Sequence, residues 1–286
     1  MQTILSLFKA AIIGWWNDRA LSLGAAISFY ALFSLGPVLL ASVTIAGLFF
    51  GHDATRLAVV GEAGSLIGKD AANSIDSMLS AAIQFGPDTF SILFGVVMFF
   101  VLATGAIVEL QDDLNIIFKA QPSGGNFWGI VRGRLISLAL VLTLGFLLLI
   151  SLVIDAGLTA LSSYILARFQ DLTVLVVGLN VLFSWAAATS LFALIFRLLP
   201  DKRLEWLTVI VGAALTGLLL EIGKFAIGLY IGESGITTTY GSAASLVTIL
   251  LWIFYTCQIL LFGAEFTWAY SVKRGTSAGE PEPKKS

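Results

Sequence analysis

WLTVIVGAALTGLLLEIGKFAIGLYI, residues 206–231, decides how the chain folds. These 26 residues (206 to 231) carry two charges, Glu221 and Lys224. A helix rises about 1.5 Å per residue, and roughly 20 apolar residues cross the hydrocarbon core of a bilayer. This stretch is long enough. Five others share its character, at about 22–50, 90–111, 135–157, 172–198 and 244–270. Across the 286 residues, 58% are hydrophobic, 12% are charged, and the mean hydropathy is +0.94. A soluble domain of ordinary composition has about 25% charged residues, so this chain lacks the side chains to cover a surface in water. The expected fold is an all-α, polytopic membrane bundle of six transmembrane helices forming one membrane domain over 1–271.

Shorter amphipathic segments flank these spans. In residues 1–18, Ile4, Phe8, Ile12 and Trp15 recur every three or four positions, with Gln2, Ser6, Lys9 and Asn17 elsewhere around the wheel. That pattern, ending in Trp15-Trp16, predicts an N-terminal helix lying at the membrane surface. Lys9 interrupts the first apolar stretch, so it does not read as a cleavable leader. Residues 51–89 are too polar to cross. Leu57, Val60, Ile67, Ile75, Leu79 and Ile83 keep a near-helical spacing there, which predicts one or two extracytoplasmic interfacial helices, with a solvated loop as the alternative. Residues 272–286 have no apolar periodicity and read as a disordered tail. Gly36-Pro37 falls inside the first span, where proline removes a backbone donor and predicts a helix kink.

Charge orients the spans. Lys9, Arg19, Lys119, Arg132, Arg134, Arg197, Lys202, Arg203, Lys273, Arg274, Lys284 and Lys285 fall on one side; Arg56, Lys69 and Arg168 fall on the other. The positive-inside rule puts the first group in the cytoplasm, with both termini there.

Composition also excludes functions. One histidine, His52, and one cysteine, Cys257, leave no His/Cys metal cluster and no disulfide frame. A net charge of −2 without a basic stripe argues against a nucleic-acid partner. No Walker loop, no GxSxG and no nucleophile beside a base can be found, so the expectation is a non-enzyme that uses neither cofactor nor metal. The polar residues within spans are then the informative ones, because an ionised group at the centre of a bilayer costs about 2.5–3.5 kcal/mol on insertion scales. Glu221 and Lys224 lie three apart on one helix face. Either they form an internal ion pair, or they line a polar cavity for a headgroup or ion. Glu109, Asp112 and Asp113 cluster at the end of the second span, as a solvated helix end or as a cation or proton site. Asp155, Asn180, Gln258 and Glu265 are single polar residues, for which interhelical hydrogen bonding is the default. Gly212 and Gly217 fit close helix packing.

DRALSLGAAISFYALFSLGPVLL (18–40) closely resembles the opening signature of the YihY/BrkB family of bacterial inner-membrane proteins. TGAIVELQDDLNIIF (104–118) is similar to that family's second block, with Thr104-Gly105 where Ser-Gly is usual. A third block runs from Arg197-Leu198-Leu199-Pro200 through Gly212-Ala213, Lys224, Tyr230 and Tyr240-Gly241 to Trp252, Tyr255 and Gly263-Ala264-Glu265. The resemblance covers nearly the whole chain and implies six spans plus amphipathic segments. It also carries two labels, a tRNA-processing ribonuclease and a serum-resistance factor. The sequence argues against the first, since metal-dependent RNA hydrolysis needs clustered ligands; the second names a phenotype. The leading expectation is a transporter or flippase-like protein for a lipid or other amphiphilic envelope component. In that reading Glu221 and Lys224 contact the headgroup or ion, and Asp18, Glu109 and Asp113 gate near the cytoplasmic face. The alternative is a non-transporting scaffold for partners in envelope biogenesis, and an intramembrane enzyme ranks last.

Overall fold

The computed structural model describes residues 2–67, 69–84, 104–120, 173–233, 240 and 243–275. Among them all regular structure is helical, without strands. The helices are α1 (Gln2–Asn17), α2 (Ala20–Phe50), α3 (His52–Ile67), α4 (Lys69–Gln84), α5 (104–117), α6 (Thr173–Leu198), α7 (Trp206–Glu233) and α8 (Ala244–Arg274). Within the described residues, Val181–Leu198, Trp206–Lys224 and Ala244–Arg274 are long and apolar enough to cross a membrane, and Ala20–Leu35 is a shorter apolar stretch. The predicted spans 90–111 (through residue 103) and 135–157 lie outside the described residues, as do Asp155 and the side chain of Asn180.

α1 docks on α8 by one face. Leu7 and Ala11 are buried with Phe266, and the Phe8 ring packs on Phe262 and Phe266 at centroid distances of 6.3 and 5.2 Å. Leu5, Ile12 and Trp16, on another face, are exposed. A helix of 16 residues is about 24 Å long, too short to span, so its outward apolar face suits a membrane surface. The chain then turns at Asp18-Arg19. Arg19 adopts the left-handed conformation (φ 55°, ψ 40°) that starts α2 in a new direction. α2 is continuous through Gly36-Pro37. Proline at 37 leaves the Phe33 carbonyl, four residues back, without its helical donor.

Residues 52–67 and 69–84 form two 16-residue helices rather than a loop. Ile75 and Leu79 of α4 are buried with Val43 of α2 and Ile249 of α8, with Val59 and Val60 of α3 packed against them. Arg56 ties the pair together: its Nε donates to Asp76 Oδ1 at 2.6 Å and its Nη2 to Ser80 Oγ at 2.7 Å. The Asp76 hydrogen bond pushes the Arg56 guanidinium up, and the same bond holds the Asp76 carboxyl below its usual range.

The larger core sits where α2 starts, α5 and α6 end, α7 starts and α8 ends. Leu114, Ile117, Phe118, Phe196, Val209 and Leu261 are fully buried there. α7 and α8 run antiparallel in close contact. Thr267 fills the space over Gly212, and Thr216 fills that over Gly263; a Cβ on Gly212 would come within 3.2 Å of the Thr267 Cα. Small residues allow this approach, and each threonine hydroxyl donates back along its own helix, Thr216 to Gly212 O at 2.8 Å and Thr267 to Gly263 O at 2.7 Å. α8 continues to Arg274, past the start predicted for the tail. Lys273 and Arg274 suit the negative end of the helix dipole, and Gly275 closes it in the left-handed conformation at φ 70°.

Candidate functional site

Ser184 and Glu221 lie at matching depths on either side of the α6–α7 turn. Ser184 is 14 residues before Leu198 and Glu221 is 15 after Trp206, about 21 and 22 Å along each axis. Antiparallel packing therefore brings them together. Ser184 Oγ donates to Glu221 Oε1 at 2.8 Å, and Lys224 Nζ donates to the same oxygen at 2.9 Å and to Ser184 Oγ at 3.2 Å. Next to it, Trp185 Nε1 donates to Ala214 O at 3.0 Å, pinning α6 on α7. On the α8 side, the Tyr255 ring rests against Gly223. The cluster carries no net charge, which is how two ionised groups are tolerated among apolar helices. It is not sealed: the Lys224 and Glu221 side chains keep 28% and 20% of their exposure. Charges left partly accessible in this way can exchange their mutual bond for one to a ligand.

The remaining predicted residues gather elsewhere. Val209 and Ala213 of α7 belong to the core that holds Leu114 of α5. Glu221 lies eight residues past Ala213 (213 to 221), about 12 Å along the helix. Asp18, Glu109 and Asp113 are thus at the α1 end of the bundle, apart from Glu221 and Lys224. The predicted set divides into two sites.

At the α1 end, two corners meet. Lys119, which follows α5, has a left-handed backbone (φ 51°), as does Arg19. Lys119 Nζ donates to Asp18 Oδ2 at 2.7 Å. Beside them the Glu265 carboxyl from α8 is 3% exposed. It fills the space over Gly14 of α1, lies near Asp18, and among the described residues has no partner for its Oε1. Asp113 is 2% exposed, and among the described residues its Oδ2 also lacks a partner. Burial first, then Glu109 and Asp112 on the same helix, push the Asp113 carboxyl up to about 7. Half-buried Glu109 is one turn before it. α5 also clasps the α6–α7 turn: Asn115 Nδ2 donates to Asp201 Oδ2, and the Asp201 N–H returns a bond to Asn115 Oδ1, both at 2.9 Å. An open recess of about 440 Å³ at the α1–α2 corner is lined by Trp15, Trp16, Asn17, Arg19, Leu21 and Ser22. It combines a cation with aromatic faces.

Four residues of these sites escape a reading by spacing. Ser184 is one small hydroxyl among several in α6. Lys119 and Gly14 acquire their roles only through partners about 100 and 250 residues away in sequence (119 to 18, 14 to 265). Glu265 is the one with a signal, an acid inside an apolar run. Among the described residues no three His, Cys, Asp or Glu side chains are grouped to hold a metal ion.

Comparison with known proteins adds a family. The family described as virulence factor BrkB matches residues 11–286. A UPF0761 membrane protein of Rhodospirillum centenum is 28% identical over 92% of this chain and 57% of its own length. Another, from Pseudoalteromonas translucida, is 24% identical over 89% of this chain and 85% of its own. A third, from Klebsiella pneumoniae, is 30% identical over 63% and 64%. The chain spans little more than half the length of the Rhodospirillum protein. No solved structure matches.

Proposed function

We propose that this chain, which belongs to the virulence factor BrkB family, moves a lipid or another amphiphilic envelope component across a bacterial inner membrane without covalent chemistry. The observation that carries this reading is the Ser184–Glu221–Lys224 cluster, three polar side chains held together on two apolar helices and still partly accessible. Lys224 is the group to meet an anionic headgroup. Glu221 reclaims it when the headgroup leaves, and Ser184 holds both in place between cycles. The recess of Arg19, Trp15 and Trp16 is of the kind in which a headgroup and its acyl chains first settle. Asp18, Glu109 and Asp113 gate the cytoplasmic end, and Gly36-Pro37 is where the first of six spans can bend during transport. The Lys and Arg distribution supports cytoplasmic termini.

The test is lipid scrambling in liposomes that contain the purified chain and a fluorescent anionic phospholipid. Wild type is expected to scramble the lipid; Glu221→Gln and Lys224→Gln each slow it at least tenfold while the protein elutes as a folded species. A double variant at the wild-type rate removes both residues from the mechanism. An inactive wild type that instead holds a stoichiometric partner favours a scaffold.

A further inference from the structure

Two carboxyl groups at the α1 end are buried without adequate partners. The first is Asp113, 2% exposed, whose Oδ2 meets no donor among the described residues. The charged neighbours acting on it are Glu109 and Asp112 of its own helix, both acidic, and the group facing it from α8 is the Cys257 thiol. The second is Glu265, 3% exposed, with Oε1 partnerless among the described residues and the carboxyl closed off by Gly14 of α1. The charged groups facing it are Asp18 from the α1–α2 corner and Lys119 from the end of α5. Lys119 is already committed to Asp18 at 2.7 Å.

Charge and bonding then demand the same thing. Asp18 and Glu265 present two carboxylates to one ammonium. A second carboxylate beside Asp18 has no cation of its own and no hydrogen to donate. One proton on Glu265 repairs both faults: it supplies a donor and leaves one negative charge, on Asp18, against Lys119. Among the described residues no cation acts on Asp113, and a proton is the smallest species that neutralises it in place.

We propose that Asp113 and Glu265 are proton-binding sites at the α1 end of the bundle, and that the proton is the ion exchanged during transport. The coupling rests on the transport reading above; the binding does not. At the second site, water has access at Lys119 and Asp18, whose side chains are 45% and 16% exposed, while Glu265 lies behind them. Loss of the proton leaves Glu265 a bare carboxylate against Gly14, which repels Asp18 and favours separation of α1 from α8. Proton binding at this end thereby governs how firmly α1 is seated.

Infrared absorption of the purified full chain in nanodiscs tests this without reference to transport. Protonated carboxyl groups give carbonyl bands, set apart from carboxylate bands, that shift in heavy water. About one unit below the Asp113 value near 7, two such bands are expected in the wild type. Raising the pH to about one unit above that value should remove the Asp113 band. Asp113→Asn should lack that band at every pH, and Glu265→Gln should lack the other. The proposal is overturned if the wild type shows no protonated-carboxyl band at the lower pH, or if both bands survive in a folded double variant. Should a variant fail to fold, the wild-type titration alone decides. Scrambling assays separate the two ideas: titrating bands with no lipid movement sink the transport reading and leave the proton sites standing, whereas lipid movement without such bands sinks this proposal alone.

Discussion

At the scale of single residues, the folded chain spends stability on acidic side chains. Asp113 would be comfortable in water at its ordinary value of 3.8, yet burial and two acidic neighbours raise it to about 7. Between those values the folded protein keeps a proton that the unfolded chain has released. Folding stability therefore falls as pH rises through this window and levels off above it. Asp113→Asn removes the titration while keeping the shape. Thermal unfolding in detergent should show the wild type losing melting temperature between pH about 4 and about 7, and the variant changing less. Above that window the variant should melt at or above the wild type. A wild-type slope no steeper than that of the variant would assign the pH dependence to other groups.

Between elements, close packing of α7 on α8 depends on what is missing from two glycines. Gly212 receives Thr267 and Gly263 receives Thr216, so the helices lock at two positions one turn apart. A side chain at 212 has nowhere to go, since it meets backbone at 3.2 Å as well as the threonine. Gly212→Val should destabilise the bundle by about 1–3 kcal/mol, the usual cost of overpacking, and lower the unfolding midpoint measured in detergent. Gly61, which has open space around the position of a Cβ, is the comparison: Gly61→Ala should change the midpoint little. The reciprocal arrangement also fixes the depth of Glu221, because α7 cannot slide past α8 without losing both seats.

For the whole molecule, the two polar sites stand apart along the bundle axis. One is at mid-depth between α6 and α7, and the other is at the α1 end, where α1, α5 and α8 converge. The orientation proposed from the lysines and arginines has a direct check. In a Cys257→Ala background, a cysteine placed at Ser77 of α4 should react with a membrane-impermeant maleimide added outside intact cells. One placed at Ser286 should react only after the membrane is opened. The reverse pattern would invert the topology.

Hydropathy made the helical membrane character legible from sequence alone, because hydrocarbon imposes its requirement on each segment separately, as in 206–231. Near-helical spacing likewise foretold α1 and the α3–α4 pair, whose amphipathic pattern is a local property of the chain. Membership of the family was readable from DRALSLGAAISFYALFSLGPVLL and the blocks that follow it. The grouping of the polar residues was not. Glu221 and Lys224 are neighbours on one helix, so their pairing could be read; their bond to Ser184 could not, since it depends on the register of α6 against α7. Nor could the sequence reveal that Glu265 closes on Gly14 and Asp18, or that Asp113 is sealed from solvent. Those outcomes belong to tertiary structure because burial and charge proximity are set by what other elements place beside a side chain, and no spacing along one strand of sequence encodes that distance.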